Sequence, residues 1–190
     1  MPGVFVVTDS SSDLTTAEVA GLDVEIVPLT VRIGDDEFVD GRDLSVEEFY
    51  RRMAASDELP QTACPSPGAF EEAFQGAADA GADAVVCITI SSDLSNTLQS
   101  AQTAAAGFGE RLPVHVIDSK SVSSGLGTLV LEAGAVARTG AGPEAVVGRV
   151  EEMIARTHVF ATLNTLENLK KGGRIGGPRR WWARCCRSSP

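Results

Sequence analysis

The chain has 190 residues, 43% of them apolar, enough for one full α/β domain with a sizeable core. Its net charge of −10 excludes a binder of phosphate backbones, which needs clustered Lys and Arg, so no nucleic-acid partner is expected. No apolar run approaches the roughly 20 residues of a membrane span, the N-terminus lacks a signal-peptide pattern, and the four cysteines form no C-x-x-C pair. A cytoplasmic protein without metal site or cofactor is therefore expected.

In chain order, residues 4–7, 24–27, 84–90 and 113–117 are short, β-branched apolar runs bounded by turn residues, which predicts buried strands. The stretch 29–40 carries two short apolar runs about Gly34, Asp35 and Asp36, the pattern of a β-hairpin. Helices are predicted over 45–55, 67–79, 97–106, 123–138 and 143–156, and Val159 to Leu163 adds a candidate late strand. Ser45 followed by Glu48 reads as a capping box, and Pro143 suits the first turn of the last long helix. Alternating strands and helices imply an α/β fold: a mostly parallel sheet with helices on both faces, and a second domain left incomplete. The expected division is 1–157 for the first domain, 158–177 for the start of a second, and 178–190 for an aberrant tail.

Ligands of parallel α/β sheets bind where strands give way to loops. Three such loops, 8–14, 91–97 and 118–125, are dense in hydroxyls, and a fourth polar loop, 61–67, precedes a helix. Each one alone reads as a helix N-cap. Together, hydroxyls such as Ser10, Ser119 and Ser123 with helix-start N–H groups make a neutral donor cluster suited to a carboxylate. Catalytic readings are less favoured. No serine has glycine at both positions of a G-x-S-x-G elbow, and His115 and His158 read as structural. Asp9 follows the first strand as a phosphotransferase nucleophile does, yet Ser11 stands where the second carboxylate belongs. Residues 170–177 form a basic, glycine-rich cluster, either a capped helix end or a loop offering Arg174 to a phosphate-bearing partner.

The runs at 8–14, 62–67, 90–101, 116–127 and 169–175, in this order, resemble the DegV family. The resemblance implies a bacterial fatty-acid-binding protein of two α/β domains that does no chemistry itself. In some members it is the acyl-carrying subunit of a fatty-acid kinase, whose separate ATP-binding subunit phosphorylates the carboxylate. By motif position, Thr62 and Ser95 hold the carboxylate of a long-chain fatty acid, the Asn96 amide supports them, and Arg174 faces the kinase. Ala63 and Cys64 replace the family's usual Ser-Gln, and Asn96 replaces its usual Gly, which permits conformations Asn reaches less readily. Family members continue for about another hundred residues, a length set by the second domain that completes the fold.

Two other functions are carried alongside: a hydrolase or phosphotransferase using Asp9, and a non-functional carrier fragment. The fragment reading expects uncovered apolar surface along the helices after residue 123. The tail, with Trp181, Trp182, Cys185 and Cys186, is expected to be a frameshift product. Starting each triplet one base earlier lets 178–190 encode Ala-Ala-Ala-Leu-Val-Gly-Ser-Leu-Leu-Ser-Ile-Lys-Pro, which restores an amphipathic helical pattern.

Overall fold

The computed structural model describes residues 3–56, 58–109, 111–163 and 165–174. In order, the elements are β1 (Val4–Asp9), β2 (Val24–Val27), β3 (Thr30–Ile33), β4 (Asp36–Val39), α1 (Val46–Ala55), β5 (Gln61–Ala63), α2 (Pro67–Asp79) and β6 (Ala84–Thr89). There follow α3 (Thr97–Phe108), β7 (Val114–Asp118), α4 (Ser124–Arg138), α5 (Pro143–Ile154) and α6 (Glu167–Lys171). The chain divides after Phe160 into units 1–160 and 161–190.

The four predicted strands form one parallel sheet, ordered β2-β1-β6-β7. Its central strands are buried on both faces because side chains alternate across a strand. Val7, Val85 and Cys87 pack with Phe70, Phe74, Ala101, Ala104 and Phe108 of α2 and α3. Val4, Val6, Val86 and Ile88 pack on the other face with Leu126, Val130, Val146 and Val150 of α4 and α5. The sheet is thus covered on both sides, as the alternation of elements predicts.

The 29–40 hairpin is present, with Val31 opposite Phe38 and Gly34 turning the chain at φ 61°. The structure adds a third strand. The segment 61–63, expected to be loop, is β5, antiparallel to β3 with Thr62 opposite Val31. All three of its side chains are exposed, so no apolar pattern announced it. The expected strand at 159–163 is corrected: the backbone there has no ladder, and Phe160 is 91% exposed. An apolar run becomes a strand only beside a partner edge.

Helix α1 starts at the predicted cap, where Ser45 Oγ accepts the Glu48 N–H at 3.2 Å. Among the described residues, no helix is long and apolar enough to cross a membrane. Among the described residues, the exposed large apolar side chains are Val46, Tyr50, Val159, Phe160, Leu163, Leu166 and Leu169. Of the helices after residue 123, α4 and α5 pack their apolar sides on the sheet, while Leu169 of α6 is exposed. The tail 178–190 lies outside the described residues.

Helix α4 runs close to the turn after β1. A Cβ on Gly127 would lie 2.8 Å from the Ser12 carbonyl oxygen and 3.2 Å from Leu14 Cδ2. Among the described residues, nothing lies within 4 Å of that position on Gly148 of α5. Alanine favours a helix interior over glycine by about 1 kcal/mol, so Gly148→Ala is expected to raise the thermal midpoint. Gly127→Ala is expected to lower it, with a net cost of about 1–2 kcal/mol because the obstructing atom is backbone. Parallel melts of the two variants check this pair of opposite signs.

Candidate functional site

The hydroxyl-rich loops gather at the carboxyl ends of β1, β6 and β7, and local and long-range bonds together decide which hydroxyls are occupied. Ser10 is committed within the protein: its O–H donates to Asp40 Oδ2 at 2.7 Å and its oxygen accepts the Leu29 N–H at 3.0 Å. It fastens the end of β1 to the chain on either side of the hairpin. Ser119 is buried and equally occupied, donating to the Ser121 carbonyl at 3.2 Å and accepting the Ser121 N–H at 3.1 Å.

Ser123 has φ 54° and ψ −134°, a region side chains rarely enter. It sits between strand β7 and helix α4, and a Cβ on Gly125 would overlap the Ser121 hydroxyl. The Ser123 hydroxyl donates to Asp13 Oδ2, a carboxylate, where a hydrolase would place a histidine.

Ser95 and Asn96 precede α3. The Thr97 N–H donates to Ser95 Oγ at 3.3 Å, and the Ser95 and Thr97 hydroxyls are 2.8 Å apart. Where Thr97 is the donor in both, the two Ser95 lone pairs are filled and its own O–H is left to donate elsewhere. Asn96 takes ordinary backbone angles, φ −82° and ψ 10°, so the residue replacing glycine is unstrained. Its exposed side chain makes no capping bond.

Thr62 lies exposed on edge strand β5. One buried bond ties its arm to that of Ser95: Ser100 of α3 donates its O–H to the Pro65 carbonyl at 2.6 Å. Sequence reading missed Ser100, because a mid-helix serine gives no local sign of a partner 35 residues away. In the second unit, exposed Arg174 closes the turn after α6, its Nη1 donating to the Gly172 carbonyl at 2.7 Å.

The groups suited to chemistry are structurally occupied. Asp9 is fully buried, and it accepts from the Ser11 N–H at 3.1 Å, the Ser11 O–H, and the Ile90 N–H at 2.8 Å. Burial raises its pKa despite these bonds. Burial and then the charge of Asp9 push the Cys87 thiol up, away from a reactive thiolate. Among the described residues, the buried hydroxyl oxygens of Thr8, Ser12, Thr89 and Ser121 have no protein partner, and all lie near the carboxyl end of the sheet.

The sequence profile of the DegV family, described as uncharacterised proteins, matches residues 4–181. The chain belongs to the DegV family. A DegV domain-containing protein of Deinococcus radiodurans is 38% identical over 174 residues, covering 92% of this chain and 61% of the relative. A Thermus thermophilus DegV protein described as fatty-acid-binding superposes with a TM-score of 0.83 at 36% identity, over 92% of this chain and 61% of that one. A Ruminococcus gnavus DegV protein refined with vaccenic acid gives a TM-score of 0.83 at 29% identity, over 92% and 62%. The chain thus spans about 61% of the length of these DegV relatives.

Proposed function

We propose that the chain holds a long-chain fatty acid by its carboxylate and presents it, untransformed, to a separate ATP-binding kinase subunit. Thr62 and Ser95 donate the principal hydrogen bonds, the Asn96 amide supports them, and Arg174 meets the kinase. Ser10, Ser119 and Ser123 frame this site by fixing its loops. The carrying observation is Ser95, whose acceptor capacity can be filled by Thr97 while its proton stays available at the start of a 12-residue helix. Solved DegV relatives described with fatty acids support the choice of anion. The buried Ser100–Pro65 bond supports a common site for Thr62 and Ser95.

Native mass spectrometry of the purified chain is expected to show co-purified fatty acid. A spectrum of ligand-free chain alone favours the other reading, a carrier fragment that retains nothing. Thr62→Ala and Ser95→Ala are each expected to weaken retention by about 1.5–3 kcal/mol, the worth of a hydrogen bond to a charged group. Neither side chain is fully buried, so both variants should melt close to the parent. Retention equal to the parent in both would remove the carboxylate site from these residues.

A further inference from the structure

Ser95 is useful to a carboxylate only if its loop is held still before the ligand arrives, because ordering a loop on binding subtracts from affinity. The loop between β6 and α3 is short and polar. The Leu94 and Ser95 N–H groups donate to the Ser91 carbonyl at 2.9 and 3.2 Å and the Asp93 N–H to Ser91 Oγ at 3.3 Å, which makes residues 91–95 one tight turn. Ser95 ties one end of that turn to Thr97 of α3, and the other end is placed by what grips Ser91 and Ser92.

The grip comes from the end of β7. Asp118 is its last residue, with a side chain 14% exposed. One carboxylate oxygen accepts the Ser92 N–H at 3.2 Å and the Lys120 N–H at 3.0 Å. The other accepts the Ser92 O–H and pairs with Lys120 Nζ at 2.7 Å. Lys120 Nζ also reaches Ser92 Oγ at 3.2 Å, closing a three-residue ring. Beside it the Ser91 N–H donates to the Ser121 carbonyl at 2.9 Å. Lys120 has φ 52°, a left-handed conformation that L residues adopt reluctantly. Its N–H is turned back on the carboxylate there, so the ring is formed at some backbone strain. Burial would raise the Asp118 pKa, yet the bonds from Lys120 and Ser92 outweigh it and hold the carboxyl below the usual range.

Resting on the fatty-acid reading above, we propose that Asp118 is a positioning residue for the carboxylate site. It locks the turn that carries Ser95, with Ser92 as the bolt and Lys120 as the counter-charge. A ligand carboxylate then meets donors that are already aimed, and the benefit falls on residence time more than on encounter.

The test uses the full chain loaded with vaccenic acid, with transfer to phosphatidylcholine vesicles as the measure of dissociation. Asp118→Ala is expected to speed dissociation about tenfold, as loss of charge-assisted bonds would, with association changed little. Amides of residues 91–97 in the ligand-free variant should exchange faster, while those of α2 stay protected. Ser92→Ala, which removes a single hydroxyl and endangers the fold least, should show the same change to a smaller degree.

The decisive readout is coupling. In a Ser95→Ala background, Asp118→Ala should add little further loss, because residues that act through one another are non-additive. Full additivity, or parent-like dissociation in both Asp118→Ala and Ser92→Ala, overturns the proposal. If Ser95→Ala and Thr62→Ala themselves leave retention intact, the carboxylate reading has failed instead. If only they weaken it, that reading stands and the role of Asp118 falls.

Discussion

Replacing Phe74 with alanine is expected to cost about 3–5 kcal/mol, as for buried aromatic side chains generally. Phe74 is fully buried on α2, with its ring 6.2 Å from Phe70 and 6.0 Å edge-on from Phe108. These rings join α2 and α3 to one face of the parallel sheet. The consequence reaches function. The loop ending at Pro65 leads into α2, and Ser95 leads into α3, so this aromatic cluster underlies both proposed donor arms. Phe74→Ala should therefore lower the urea midpoint and also hasten fatty-acid loss. Phe74→Leu keeps most of the volume and should cost much less. Equal midpoints for the alanine variant and the parent would show that the cluster is not the keystone of this face.

The fold was most legible where burial is two-sided. Val4, Val6, Val7 and Ala84 to Ile88 are buried and Phe5 is half-buried, so both runs read as strands with little surface toward water. Strand β5 was illegible for the opposite reason: Gln61, Thr62 and Ala63 are exposed, and only pairing with β3 makes them a strand. Val159 to Leu163 failed in reverse, since apolar composition favours a strand but cannot supply the neighbouring edge.

The same division runs through the site. Clustered Ser, Thr and Asp at strand ends were plain in the sequence, and they do lie at the carboxyl ends of the parallel strands. Which hydroxyls are spent was not plain, because their partners are remote. Ser10 meets Asp40 across 30 positions, Ser92 meets Asp118 across 26, and Ser123 meets Asp13 across 110. Local propensity is blind to such pairs, so Ser10 and Ser123 looked as available to a ligand as Ser95.

Asp9→Ala is expected to destabilise the chain by about 3–5 kcal/mol while removing no activity. Three donors from Ser11 and Ile90 converge on this carboxylate, and each buried donor left alone costs about 1–3 kcal/mol. The bond to the Ile90 N–H spans 81 positions and fixes the end of β1 beside the chain leaving β6. Asp9→Asn is the sharper variant, because it keeps the shape and one acceptor oxygen but presents an NH2 group to donors. Its pH dependence carries a definite sign. The folded pKa of Asp9 lies above its ordinary value of 3.8, so the folded state holds its proton to higher pH than the unfolded state does. Stability contributed by Asp9 therefore falls as pH rises through the folded pKa, and it recovers as pH falls toward the ordinary value. Melts across that window should show the parent gaining on Asp9→Asn as the solution is acidified. ATP and ester hydrolysis should stay at background in both proteins at neutral pH. A rate present in the parent and lost in Asp9→Asn, with the melting temperature unchanged, would transfer Asp9 from the framework to the chemistry and restore the phosphotransferase reading.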